Sequence, residues 1–306
     1  MKSKRVKVLA YLALAFVVLA WGLSPVLSKY ILNSGYSPGI KRFIDAIFAS
    51  AALGMIANKQ LTKVNISVLK TSVFVGVCFA LAMLLEGLAH GATTPAMSTL
   101  YGNVTCITVP LFVAIFSKQL PNVMKLLAGG LCIGGFAVIA FGEGSFSFAP
   151  GDGLVLLSGV FYGASSAAIN TWGKKMNSIV VTFIEFCVAI PVCAAYAFLL
   201  EDISFLWDVK SLLIIAATAV VVQGICWLLR NFAMQHLDAG FVAIIASFST
   251  VVTAAVSIVF GMDEFSWRLV IGGGICVVSA IISGLSSKEE QPEEEPVAEM
   301  TETTRV

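Results

Sequence analysis

Four ionisable groups stand inside long apolar runs of this 306-residue chain, where a charge is expensive and is retained for work. Glu86 lies late in the run 67–89, and His90 follows four residues on, one helical turn away on the same face. Asp45 sits in the run 38–57, three residues after Arg42. Glu185 falls in the run 178–200. Arg230 closes the run 209–231, beside Asn231 and downstream of Gln223 and Trp227. A carboxylate in such surroundings is able to load and release a proton, and Glu86 is the first candidate for that duty. His90 could share it, because an imidazole changes charge near neutral pH; its alternative place is the membrane interface. Carboxylates and guanidinium groups also make ion pairs that form and break as a gate moves. The plainer reading is static pairs, or, for Arg42 and Arg230, long side chains snorkelling to the headgroups.

Aromatic and hydroxyl residues add a second constellation. Trp21, Tyr101, Tyr162 and Trp227 fall inside apolar runs rather than at their ends, where interfacial belts would put them. They could wall a cavity and touch an organic substrate, by cation–π contact among other means, or serve as packing. Thr93, Thr94, Ser98, Thr99, Tyr101, Asn103 and Thr105 make a polar stripe around the run 95–116, the favoured cavity lining. Ser247, Ser249, Thr250 and Thr253 form a counterpart. Such hydroxyls also glue membrane helices together. The candidates for substrate binding or coupling are therefore Glu86, His90, Trp21, Tyr101, Asn103, Arg42, Asp45, Glu185, Trp227 and Arg230.

Other chemistries lack their residues. The two histidines, His90 and His236, are predicted at opposite membrane faces, and neither HExxH nor GxSxG occurs, which argues against an enzyme. The seven cysteines lie in apolar runs without CxxC or zinc-ligand spacing, so they read as small buried hydrophobes, and no metal or cofactor is expected. A net charge of +1 leaves no basic domain for nucleic acid. No repeated selectivity-filter motif suggests a channel.

The elements that position these groups follow from composition. The chain is 58% hydrophobic and only 12% charged, where a soluble domain carries about 25% charged residues. Folded in water it would expose large apolar patches; in a bilayer, helices of about 20 apolar residues satisfy their own backbone. We predict ten spans, near 8–30, 38–57, 67–89, 95–116, 122–142, 152–172, 178–200, 209–231, 239–260 and 266–285. The basic start (Lys2, Lys4, Arg5, Lys7) precedes a run too long for a signal-peptide core and reads as a retained first helix. With the N-terminus inside, fourteen Lys/Arg fall inside and five outside (Lys29, Lys41, Arg42, Lys210 and Arg268), giving an N-in, C-in topology. Residues 287–306, rich in Glu, read as a disordered acidic cytoplasmic tail.

The two halves resemble each other. Tyr162-Gly163 follows Trp21-Gly22 by 141 residues, and Gly272-Gly273 follows Gly129-Gly130 by 143. This divides the chain into a first five-helix repeat, 1–145, and a second, 146–286. Five is odd, so the second repeat must enter the membrane inverted, with a site between the two near the midplane. Inversion places Glu86 and Arg230 at mirrored depths and groups Arg42, Asp45, Glu86 and His90 outside, and Glu185 with Arg230 inside. Gly130-x-x-x-Gly134 suggests close internal helix packing and leaves room for a homodimer.

Trp21-Gly22, Lys29, Pro38 and Arg42, together with Ala239-Gly240-Phe241, the stretch Gly261-Met262-Asp263-Glu264-Phe265-Ser266 and Gly272-Gly273-Gly274, resemble the drug/metabolite transporter superfamily, specifically its ten-helix EamA-type proteins. The likeness spans about residues 8–286. It departs where Lys118-Gln119-Leu120 lacks the acidic residue of its counterpart loop, and where Thr250 stands for a proline midway along helix nine. The resemblance implies an all-α membrane protein of ten helices in two inverted repeats. It also implies a secondary transporter that moves a small organic metabolite, amino-acid-like or drug-like, by alternating access, with proton coupling or facilitatively. Its partners would be that small molecule, protons where coupling operates, and the lipid bilayer of a prokaryotic plasma membrane. A non-transporting receptor, sensor or scaffold of the same fold is the alternative.

Overall fold

The computed structural model describes residues 2–33, 36–61, 64–89, 101–140, 150–174, 176–201, 209–259 and 267–289. Among them all regular structure is helical. The helices are α1 (Lys2–Asn33), α2 (Pro38–Leu61), α3 (Ile66–Ala89), α4 (Thr105–Ser117), α5 (Val123–Ala140), α6 (Pro150–Trp172), α7 (Ser178–Leu200), α8 (Val209–His236), α9 (Ala239–Ser247 continuing as Ser249–Val259) and α10 (Trp267–Glu289). They fall on the ten expected apolar runs. The acidic tail beyond Glu289 lies outside the described residues.

The helix boundaries have local causes. Pro38 opens α2 at the position where its missing N–H costs nothing. The next two amides are taken by Glu201 just past α7, whose carboxylate accepts from Gly39 N (2.8 Å), Ile40 N (3.1 Å) and the Ser37 hydroxyl (2.6 Å). Asn177 caps α7 and Asp238 caps α9 through the amides of Ile179 and Phe241. Lys118 ends α4 in the left-handed conformation, with its N–H on the last carbonyls. In α8, residues Ala219–Ile225 form a π-helical segment between two α-helical stretches. Phe248 interrupts α9, two residues before Thr250.

Among the described residues five helices are long and apolar enough to cross a membrane, namely Arg5–Ser24 of α1, α3, Gly151–Trp172 of α6, α7 and α8. α4, α5, α9 and α10 contribute shorter apolar stretches among the described residues. The exterior carries exposed Leu12, Leu19, Met55, Leu127, Leu199 and Ile281. Lipid, unlike water, solvates such side chains at no cost, and the protein is an integral membrane protein.

The packing places elements of the first half against elements of the second. α2 lies on α7 and on the π-helical part of α8, α3 on α6 and α7, α4 on α6, α1 on α8 and α9, and α5 on α10. Several contacts are too close for a Cβ, among them one in α1 and one in α6. A Cβ on Gly22 in α1 would strike Val252 of α9, and one on Gly163 in α6 would strike Thr108 of α4. The expectation for Gly130 and Gly134 is corrected: a Cβ on either would meet nothing within 4 Å, and they face outward beside Leu126, Leu127 and Leu131. The tight contacts fall on their neighbours instead, Gly129 against the Cys106 carbonyl and Gly135 against Gly272 and Cys276. One face of α5 is turned inward and the glycine spacing lies on the other.

Candidate functional site

Six helices meet in one polar and aromatic cluster at the junction of the halves. Its centre is a group of rings. Trp227 of α8 stacks on Tyr162 of α6 (centroids 5.2 Å apart), meets Trp21 of α1 at 5.3 Å, and takes the edge of Phe79 of α3 at 4.9 Å. These are geometries favoured by the ring quadrupole. The Trp21 indole N–H donates to the Val222 carbonyl (3.0 Å) inside the π-helical segment, and Trp227 donates to Gln223 Oε1 (3.2 Å). The irregular turn of α8 therefore sits where α1 and the ring cluster need it; such turns recur at functional sites.

Charged groups flank the rings on two sides. On one, Arg42 Nη2 of α2 pairs with Glu86 Oε2 of α3 at 2.8 Å, and the Tyr162 hydroxyl donates to the same oxygen (3.2 Å). Arg42 is buried, whereas the Glu86 side chain is 35% exposed, so the carboxylate is the open member of the pair. The Arg42 methylenes run over Gly87, where a Cβ would stand 2.8 Å from Cγ. Asp45, fully buried, takes Lys41 Nζ at 2.8 Å and Arg42 Nη1 at 3.9 Å. On the other side Arg230 places its guanidinium 4.8 Å from the Trp227 ring centroid, a cation–π geometry, and donates to Ser166 Oγ at 2.8 Å. Ser166 in turn donates to the Tyr162 carbonyl (2.6 Å). Glu185 of α7, fully buried, accepts from Asn231 Nδ2 (2.5 Å) and from Ser165 Oγ (3.4 Å).

The structure thus brings together Trp21, Arg42, Asp45, Glu86, Glu185, Trp227 and Arg230. It joins the two expected groups where a separation was predicted. Glu86 and Arg230 are linked through one residue, Tyr162, whose hydroxyl meets Glu86 and whose carbonyl meets the serine that holds Arg230. Nor does Glu185 pair directly with Arg230: neutral Asn231 and Ser165 hold it, while Arg230 turns to Ser166 and Trp227.

Asn103 lies apart from this cluster, its Nδ2 3.5 Å from Thr250 Oγ1 of α9, and Tyr101 is half-buried near it in sequence. His90, Thr93, Thr94, Ser98 and Thr99 lie outside the described residues. Tyr162 was legible as the counterpart of Trp21, and Lys41 as the residue one turn before Asp45. Ser165, Ser166 and Asn231 carried no signal that would set them apart from helix glue.

The ends of the bundle are also tied. Lys125 of α5 pairs with Asp238 of α9 at 2.7 Å. Nearby, Asn170 Nδ2 of α6 donates to the carbonyls of Met234 (2.7 Å) and Leu237 (3.1 Å), Gln235 Nε2 donates to Gly173 O (2.8 Å), and Ser178 hydrogen-bonds Gln235. At the opposite end Glu201 binds the start of α2.

Among the described residues the protein is all-helical, with an interior ionic and aromatic cluster to which helices of both halves contribute. Residues 149–285 match the model of the EamA-like transporter family, the one the sequence resembled. No curated protein matches the chain. Among solved structures, a crystal structure of a protein aligns with a TM-score of 0.76 at 17% identity, covering 92% of this chain and 99% of that one. That likeness shows the fold over nearly the whole length.

Proposed function

We propose that the protein is a secondary transporter of the drug/metabolite type, moving a small amino-acid-like or drug-like metabolite by alternating access coupled to protons. The observation that carries the reading is the ring and charge cluster, to which α1, α2 and α3 of one half and α6, α7 and α8 of the other contribute. A transporter works by rearranging two bodies around such a shared site. Glu86, the open carboxylate beside Tyr162, is the group best disposed to meet a substrate amine, with Arg230 and the aromatic faces completing the contact.

Residues 1–145 and 146–286 are read as inverted five-helix repeats, with both termini inside a prokaryotic plasma membrane. Three pairs of positions at nearly constant spacing support this. Asn103 touches Thr250, and the Cys276 thiol reaches the Cys132 carbonyl (3.6 Å). Gly22 against α9 and Gly163 against α4 are equivalent close contacts. Contacts between equivalent positions are what a two-fold relation between halves produces.

The test is uptake and efflux of a radiolabelled panel of amino acids and aromatic amines in proteoliposomes, with and without a pH gradient. Flux of at least one compound, lowered at least about tenfold by Glu86→Gln and dependent on the gradient, is expected, since a charge-assisted contact contributes about 1.5–3 kcal/mol. Absence of flux for the whole panel in folded protein would sink the reading.

A further inference from the structure

The two carboxylates nearest the ring cluster are held by partners of opposite chemistry. Glu86 is paired with the Arg42 guanidinium, whose charge the ionised carboxylate offsets and a protonated one would leave unpaired. Asp45 is in the same position, between Lys41 and Arg42. Glu185 is different. It is 0% exposed, and both its partners, Asn231 and Ser165, are neutral groups that are donors and acceptors alike. Among the described residues no cation makes a direct ion pair with it, and a buried carboxylate held only by neutral groups gives up no salt bridge on gaining a proton.

We infer that Glu185 is the group that takes up and releases the coupling proton, with Asn231 as a partner that serves both of its states; this rests on the proton-coupled reading above. In the ionised state Asn231 Nδ2–H donates to Glu185 Oε2, and the Ser165 hydroxyl donates to Oε1. When a proton from water on the open side adds to Oε1, the carboxyl becomes neutral and that oxygen becomes a donor. The Ser165 hydroxyl, which donates to Oε1 in the ionised state, can turn to accept from the new O–H. Asn231 Nδ2 keeps its bonds to Oε2, now the carbonyl oxygen, and to Thr182 Oγ1. Release is the reverse sequence.

The surroundings of Glu185 fit this role. From α8 the only charged group facing it is Arg230, held by Ser166 and Trp227. α6 presents Ser165, with Tyr162 one turn before it. From α3 comes Gly76, whose Cβ would stand 3.4 Å from the Glu185 Cα. α2 offers Ala46 and Ala49 to the apolar cluster around Phe186, and its Asp45 is committed to Lys41. Protonation of Glu185 leaves Arg230 as the uncompensated charge of this side. That couples the proton to the charge state of the site lining.

Infrared difference spectra of the purified protein between about pH 5 and about pH 9, a window above the ordinary carboxylate range, read the protonated-carboxyl C=O stretch without any substrate. We expect a titrating band that is lost in Glu185→Gln and kept in Glu86→Gln. A band that survives Glu185→Gln, or that Glu86→Gln removes, overturns the inference. Should Glu185→Gln not yield monodisperse protein, Ser165→Ala decides, because it deletes the donor to Oε1. The band frequency should then move, and an unmoved frequency overturns the assignment. In proteoliposomes, pH-driven flux of the same amino acid and amine panel should vanish in Glu185→Gln. Gradient-dependent flux that persists there overturns the inference and leaves the transport reading standing. A wild type with the band but no flux fails the transport reading instead.

Discussion

Lys125 and Asp238 make a pair across the halves that separates charge from helix capping. The side chains are 9% and 18% exposed, and Nζ and Oδ2 are 2.7 Å apart. Asp238 also caps α9, its Oδ1 accepting from Phe241 N at 3.0 Å. Asp238→Asn keeps the cap, since asparagine caps as well as aspartate, and removes the charge. Lys125→Met keeps the aliphatic stem and removes the ammonium. At an effective dielectric of 20 the gross attraction at this distance is about 6 kcal/mol, and desolvation returns most of it, leaving a net coupling of about 2 kcal/mol. Each single variant strands one partly buried charge and should lower the unfolding temperature by about 4–8 °C. The double variant strands none, so its loss should be smaller than the sum of the singles by about 2 kcal/mol. Thermal unfolding of all four proteins in one detergent reads the cycle. Additive losses would refute the reasoning, because they would mean that the two side chains do not sense each other.

Two other substitutions probe the frame of the site. Gly163→Ala drives a methyl into Thr108, whose hydroxyl donates to Gly159 O (3.0 Å), and overpacking of this kind costs about 1–3 kcal/mol. Thermal unfolding should show a loss, and a variant as stable as wild type would mean that α4 and α6 do not meet so closely. Trp21→Phe keeps a ring against Trp227 but deletes the hydrogen bond to Val222 O, at about 1 kcal/mol, and leaves that carbonyl in the π-helical segment without its indole. Amide hydrogen exchange should quicken selectively in the peptide covering Ala219–Ile225, and unchanged exchange there would show that the indole does not hold this turn.

The sequence by itself determined the solvent and the elements. Apolar runs of about 20 residues have one stable form in lipid, so ten helices followed from hydropathy and breakers such as Pro38. It also marked the groups whose burial had to be purposeful, Arg42, Asp45, Glu86, Glu185 and Arg230, because charge in an apolar run stands out without any coordinates. Internal likeness pointed to Tyr162 and Gly163 as the mates of Trp21 and Gly22. Only the tertiary structure decided who meets whom. Depth along a helix was readable at 1.5 Å per residue, but side-chain reach was not, and the length of Tyr162 joined two groups that the predicted depths kept apart. Facing was equally hidden. Gly129 and Gly130 are neighbours in sequence, yet one is pressed on Cys106 and the other is open, because a helix turns 100° per residue. The partners that set the character of each carboxylate, a guanidinium for Glu86 and an amide for Glu185, come from other helices. No pattern within a single run records them.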